Sequence, residues 1–479
     1  MDFVRFLSFW LILSCFQLVS CKQPEQKTEP PEEILVDFDL DKIKERGVLY
    51  AIVDNSSTGY FHYRGQPMGY EYELLGRYCS SIGVKLELIK TRHIDEAFQF
   101  LNEGKGDVVA YFLAITKERK ERVLFTESLI TTRQTLVQKK PDGWKKMWSG
   151  EIDQKLVRDQ TDLIGKTVVV RKSSAFKERL ENLSDEMGDD IMVLEDTTGA
   201  ETEDLIWRVL NEEIEYTVAD EEIALVNAAY YPDLDVRTPV SFPQRIAWAV
   251  RKNAPQLKSS LDEWIKEIKS GQYHQIIYNK YFKVDREIVE RAMSEYSSFR
   301  GNNISEFDPV LRRYADSVRW DWRLLASMVY QESRFKANAR SWAGARGLMQ
   351  LMPTTGSRFG ARDLYDPEQN IMAGTRYLEY LNELWMKTVP DSSERLQFVL
   401  ASYNIGQGHV QDAQALAEEL DLEPHVWGEN VGAALALKSS PEYYNHEVVK
   451  YGYCRGQAAV SYVNTVLGRF RQYKENYGY

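Results

Sequence analysis

The chain has 479 residues, 43% of them apolar and 12% aromatic, enough for more than one core and, on length alone, about three domains or lobes. Its formal net charge of −12 and pI near 5.3, without a dense basic cluster, argue against a nucleic-acid partner.

At the N-terminus, Arg5 precedes an apolar run over residues 6–16, and Leu18-Val19-Ser20-Cys21 follows. The run is short for a bilayer-crossing helix of roughly twenty residues. The pattern resembles the signal peptide and lipobox of bacterial lipoproteins. That resemblance implies cleavage after residue 20, a lipid on Cys21 and an anchored protein; an uncleaved signal anchor is the competing reading. Lys22 after Cys21 gives no inner-membrane retention signal of the Asp type, so the expected address is the periplasmic face of the outer membrane. Residues 21–38, with Pro24, Pro30 and Pro31 among Glu and Gln, predict a flexible tether.

Strand-like and helix-like runs then alternate: a strand over 47–53, a helix over 71–82, a strand over 85–89, a helix over 94–101 and a strand over 107–112. This alternation predicts sheets covered by helices. Gly69-Tyr70-Glu71-Tyr72-Glu73-Leu74-Leu75, Gly106-Asp107-Val108-Val109 and Ile115-Thr116-Lys117-Glu118-Arg119 are similar to the family-3 periplasmic solute-binding proteins. The resemblance implies a two-lobed α/β module over 39–283, with lobe 1 about 39–135 and 245–283, lobe 2 about 136–244, and lobe crossings at the strands near 134–139 and 245–251. It further implies that Arg119 pairs with a ligand carboxylate, that Ser174 opens a helix toward the same anion, and that Asp220 meets a ligand ammonium. Tyr60 is a stacking candidate. A planar guanidinium suits bidentate pairing with a carboxylate. Ala114 stands where amino-acid binders carry a hydroxyl, and the alternative is that Arg119 and Asp220 are only structural charges. The expected ligand is a muropeptide or an amino-acid-like molecule.

Residues 284–306 predict a linker, a helix followed by a break at Gly301-Asn302-Asn303. Beyond it, Glu332 heads a stretch, residues 333–362, without a carboxylate. Leu325, Met328 and Val329 lie seven, four and three positions before it, which puts the acid on the apolar face of a helix. A desolvated carboxyl holds its proton toward neutral pH and can donate it to a leaving oxygen. The competing reading is an ion pair with Arg334, Lys336, Arg340, Arg346, Arg358 or Arg362.

The segment from Glu332-Ser333-Arg334-Phe335 through Gly347-Leu348-Met349-Gln350-Leu351-Met352-Pro353 resembles the signature of the soluble-lytic-transglycosylase, goose-lysozyme-like family. The later blocks Asp363-Leu364-Tyr365-Asp366-Pro367-Glu368-Gln369-Asn370-Ile371 with Ala373-Gly374 and Tyr377-Leu378, Ala401-Ser402-Tyr403-Asn404-Ile405-Gly406, and Tyr462-Val463 are similar to further motifs of that family, although Ala458 occupies a place often held by Glu. The resemblance covers 307–479 and implies a mainly α-helical lysozyme-like domain. It also implies cleavage of the MurNAc-β-1,4-GlcNAc bond of peptidoglycan without water, the muramoyl C6 hydroxyl closing a 1,6-anhydro ring. Glu332 is then the single catalytic acid and base, with Ser333, Met349, Gln350, Tyr403, Asn404 and Tyr462 around the substrate. For Met349 the alternative is ordinary core, and for residues 404–408 a helix stop. Two rival functions stay open: a sensing lipoprotein whose last domain only grips peptidoglycan, and a hydrolytic muramidase drawing a second carboxylate from Glu429 or Glu442.

Two of the four cysteines lie in the signal region, while Cys79 and Cys454 fall in different expected domains, so no disulfide framework is expected. The six His lack metal-ligand spacing; no metal and no cofactor are expected.

Overall fold

The computed structural model describes residues 36–283 and 290–478. The expected signal peptide, Cys21, most of the tether and residues 284–289 of the linker lie outside them. Among the described residues no helix is long and apolar enough to cross a membrane, and Cys79 and Cys454 are free and buried.

The first module contains thirteen strands: β1 (Val48–Val53), β2 (Phe61–Tyr63), β3 (Gln66–Met68), β4 (Lys85–Lys90), β5 (Val108–Ala114), β6 (Leu124–Phe125), β7 (Ile130–Thr132), β8 (Gln134–Lys139), β9 (Thr167–Val170), β10 (Met192–Glu195), β11 (Tyr216–Asp220), β12 (Leu234–Pro239) and β13 (Gln244–Val250). They form two mixed sheets, ordered β4-β1-β5-β13-β6 with β7 beside β13, and β10-β9-β11-β8-β12, plus the β2–β3 hairpin. In the first sheet β4, β1 and β5 run parallel, Val48 opposite Lys85 and Ala51 opposite Val108, while β13 returns antiparallel. Parallel neighbours need a crossover, and the helices Tyr70–Ile82 and Ile94–Asn102 supply it. Because a strand's side chains alternate, each central strand feeds two cores. Val108 and Ala110 point into one and Val109 and Tyr111 into the other; in the second sheet Leu136 and Val137 divide the same way.

The lobes exchange chain just before the strands expected to cross. β8 lies wholly in the second sheet and β13 wholly in the first, so the crossings are the short segments before Gln134 and before Gln244.

After the linker, of which 290–306 run mostly as turns, the chain is helical. One core gathers Leu325, Met328 and Val329 of the helix Trp322–Ser333 with Phe398, Val399 and Leu400 of Ser392–Ile405 and with Val463 and Val466 of Gly456–Asn476, all fully buried. Each such side chain contributes about 1.5–3 kcal/mol through burial. The last helix closes this domain and also reaches the first module, where the Tyr473 hydroxyl donates to the Gly65 carbonyl at 3.1 Å. Arg64 and Gly65, both at positive φ, form the two-residue turn of the β2–β3 hairpin that receives it.

Candidate active site

The helix Trp322–Ser333 starts where the Asp321 carboxylate accepts from the Arg323 backbone N–H at 3.0 Å, satisfying an otherwise orphaned donor. It ends at Arg334 in the left-handed region (φ 52°), a conformation that costs a non-glycine residue of order 1–2 kcal/mol. Glu332 therefore occupies the last turn, partly buried, above a wall of fully buried Leu325, Met328 and Val329. Its Oε1 accepts from the Tyr462 hydroxyl at 2.7 Å.

Burial pushes the Glu332 carboxyl up to about 7, and the Tyr462 hydrogen bond, which favours the ionised form, holds it from rising further. Tyr462 and Tyr403 are in turn raised well above the ordinary phenol range by burial and by the charge of Glu332. Among the described residues no carboxylate perturbs Glu332, and none of the six following basic residues pairs with it. Several serve elsewhere: the Arg346 guanidinium stands 5.9 Å from the Tyr365 ring centroid and that of Arg358 5.1 Å from Tyr380. The ion-pair reading of Glu332 is thereby replaced by a lone, desolvated acid.

Tyr403 reaches the acid from the end of the helix Ser392–Ile405. There Gly406 (φ 94°) breaks the helix and the next begins at Gln407, so residues 404–408 do act as a helix stop. The Tyr403 hydroxyl donates to the Met349 carbonyl at 2.7 Å. The Met349 side chain is fully buried, its sulfur lying against Gly374, where a Cβ would stand 2.3 Å from Sδ. Gln350, at φ 49°, turns its amide back to donate to the carbonyls of Ala339 (3.2 Å) and Gly347 (2.9 Å). The Ser333 hydroxyl donates to the Val329 carbonyl at 3.1 Å within its own helix, and Asn404 is exposed. The structure thus brings Glu332, Tyr403, Tyr462 and the Met349 carbonyl together and leaves Asn404 outside the group.

Asn370, fully buried, organises this loop and was not singled out from the sequence. Its Oδ1 accepts from the Met349 backbone N–H at 2.8 Å while its Nδ2 donates to the carbonyls of Leu364 (2.8 Å) and Arg346 (3.0 Å). A hint lay in the Asp366-Pro367 helix start, which fixes the first turn and hence where an Asn four residues after the cap must point.

A second cluster lies between the lobes of the first module. Arg119, buried, donates to the carbonyls of Ala114 (3.0 Å) in its own lobe and Ser173 (3.2 Å) across the cleft, and burial brings its guanidinium down to about 10. Arg171, which sequence reasoning missed, pairs with Glu201 at 2.7 Å and faces Asp54 of the other lobe at 3.8 Å. Asp220 Oδ1 is buried without a hydrogen-bond partner, and burial followed by the charge of Glu222 raises its carboxyl to about 8 against the pull of Arg119 and Arg171. Ser174 lines the same cleft, with its hydroxyl donating to the Arg171 carbonyl at 2.5 Å. The cavity measures only about 50 Å³, and the Ser57 backbone N–H donating to Glu203 at 2.9 Å adds another bridge across it. Tyr60 is absent from its lining; it packs instead on His62 and Tyr72, ring centroids 5.3 and 5.9 Å away.

Residues 50–284 match the family described as bacterial extracellular solute-binding proteins, family 3, and residues 310–425 match the transglycosylase SLT domain. The fold and the two sites thus define a modular protein, a two-lobed binding-type module joined to a helical transglycosylase-type domain. The membrane-bound lytic murein transglycosylase F of Desulfosudis oleivorans is 35% identical over 426 residues, spanning 89% of this chain and 90% of that one. Its counterpart in Aeromonas hydrophila is 30% identical over 448 residues, spanning 91% and 83%. Among solved structures, holo ArgBP from T. maritima is 22% identical with a TM-score of 0.41, covering 51% of this chain and 99% of that one. The chain belongs to the membrane-bound lytic murein transglycosylase F family.

Proposed function

We propose that the chain cleaves peptidoglycan glycan strands between N-acetylmuramic acid and N-acetylglucosamine as a lytic transglycosylase, with Glu332 as its only acid and base. The observation that carries this reading is the isolation of Glu332, a carboxyl held near 7 by burial, on which no carboxylate among the described residues acts. A hydrolase of the usual kind needs two carboxyl groups flanking the bond. Glu429 and Glu442, the candidates for a second, are both exposed and neither perturbs Glu332.

Near neutral pH a large fraction of Glu332 is protonated and can donate to the glycosidic oxygen as the C1–O bond breaks. The resulting carboxylate, stabilised by the Tyr462 hydroxyl, then takes the proton of the C6 hydroxyl as that oxygen bonds to C1. The proton count closes and Glu332 returns to its starting state, with the substrate supplying the nucleophile at high effective concentration. In this reading Tyr403 braces the acid and the Met349 carbonyl, Gln350 shapes the loop beside it, and Ser333 and Asn404 flank the cleft. Mass spectrometry of peptidoglycan digests tests the assignment. Anhydromuramoyl ends that disappear in Glu332→Gln support it; reducing ends that persist in that variant contradict it.

The first module we assign to a small ligand, a muropeptide or amino-acid-like molecule, met by Arg119 and Asp220. The unpartnered Asp220 oxygen supports this. Entry requires the lobes to part, since the Arg119–Ser173, Arg171–Asp54 and Ser57–Glu203 contacts join them across the cleft in this arrangement. The membrane association in the relatives' name fits the lipobox at Cys21, and we assign the outer membrane as the site of the lipid anchor. Metabolic labelling with a fatty acid, lost in Cys21→Ala, checks the anchor.

A further inference from the structure

We infer that Arg469 is a positioning residue for the Glu332 carboxyl, acting through Tyr462 and the last turn of the helix Trp322–Ser333; the inference rests on Glu332 being the acid of the proposed reaction. Arg469 lies seven residues after Tyr462 on the helix Gly456–Asn476, about two full turns on, so both side chains leave the same face. Tyr462 meets Glu332 Oε1 at 2.7 Å. Arg469 holds the two residues immediately before that acid: its Nη1 donates to Gln331 Oε1 at 2.9 Å, and its guanidinium carbon stands 4.3 Å from the Tyr330 ring centroid. Donor and acid are thus clamped by one guanidinium, and neither helix can rotate without stretching the Tyr462–Glu332 contact.

Several features point to positioning rather than to a surface ion pair. Among the described residues Arg469 has no carboxylate within ion-pair distance, although the chain carries 72 acidic residues. The ionisable groups that act on it or feel it are Tyr330 and Arg334 from the acid's segment, Tyr462 and Tyr473 from its own helix, and Tyr72 and His62 from the first module. Its positive charge favours ionisation of Tyr462, which makes that hydroxyl a stronger hydrogen-bond donor toward Glu332. The far end of the helix is pinned as well, by the Tyr473 hydroxyl on Gly65 and by the His62 ring, 6.4 Å from Tyr473 and 6.2 Å from Tyr477. A planar guanidinium can stack on Tyr330 and donate to Gln331 at once; an ammonium is a point charge and can do only part of this.

The test uses the full chain in detergent, comparing Arg469→Met and Arg469→Lys with wild type for kcat, KM and the pH dependence of kcat on purified peptidoglycan. Losing the clamp weakens a hydrogen bond that favours ionised Glu332, so the acid's pKa rises and the alkaline limb of kcat moves to higher pH. We expect Arg469→Met to lower kcat about tenfold, leave KM within about twofold and shift that limb up by about half a unit, with Arg469→Lys between it and wild type. Melting curves identify any variant that fails to fold, and the Lys variant then carries the test. A fall in kcat with an unmoved limb, or a rise in KM at constant kcat, overturns the inference. An infrared carboxyl titration, read as wild type minus Glu332→Gln, reports the same shift without turnover. Absence of anhydro products in wild type therefore counts against the proposed activity, and an unmoved Glu332 titration in Arg469→Met counts against Arg469.

Discussion

Asp220 in the first module and Glu332 in the helical domain are both carboxyls pushed up by burial, to about 8 and about 7, yet their surroundings differ in kind. Asp220 sits among charges, with Glu222 raising it and Arg119 and Arg171 opposing, and it keeps an unpartnered oxygen. Among the described residues Glu332 meets no charge that shifts it, only the hydroxyl of Tyr462. Desolvation alone thus does not tell a proton donor from a ligand clamp. A ring of opposed charges can be re-paired by an incoming ion, whereas a lone acid beside a weak donor is set up to release and regain a proton.

The comparison breaks most sharply at Glu332→Gln. Removing the proton while keeping the shape should lower glycan cleavage by about 10³-fold or more with the melting temperature held or raised. Retention of a tenth of wild-type turnover in a product assay would mean that the acid lies elsewhere. Next in size, Asn370→Ala leaves the Met349 N–H and the carbonyls of Arg346 and Leu364 unpaired in the core. We expect a loss of about 3 kcal/mol in denaturant unfolding of the helical domain, with cleavage falling alongside. Tyr462→Phe sharpens the Glu332 side. The lost hydrogen bond favoured the ionised carboxyl, so its pKa rises above about 7, the alkaline limb of kcat moves up, and the maximal rate falls about tenfold.

The smallest expected effect on cleavage concerns Asp220, whose substitution shows in stability instead. Folded, it keeps its proton to about pH 8, against an ordinary 3.8 when unfolded, so between those values the native state binds more protons and stability falls as pH rises. Asp220→Asn removes that slope. Differential scanning calorimetry should show the first module's transition dropping by about 10 °C less between about pH 5 and pH 8 in the variant than in wild type, since one proton over about three pH units amounts to roughly 4 kcal/mol.

Much of this architecture could be read before any coordinates. The strands at 48–53, 85–90 and 108–114 and the helices at 70–82 and 94–102 fall within a residue or two of the hydrophobic runs that predict them, because central strands and amphipathic helices announce themselves by period. The face that Glu332 occupies is equally visible, since three apolar residues at helical spacing fix it, whereas its role is suggested only by the family resemblance of the segment that follows. The β2–β3 hairpin was not visible, for strands of three residues carry too few side chains to show a period. Arg171, Asn370 and Arg469 escaped for another reason. Their roles depend on partners distant in sequence, Arg469 on Gln331 across 138 residues and Asn370 on Arg346 across 24, and a lone Arg or Asn has no pattern that names its partner.

The most direct test of the solitary acid is digestion of purified peptidoglycan by the full chain in heavy-oxygen water, with products weighed by mass spectrometry. If Glu332 works alone and the C6 hydroxyl is the nucleophile, the new muramoyl ends are anhydro rings that carry no label. Ends that carry one heavy oxygen each would show that water attacks C1, and would require a second catalytic group that this account does not contain.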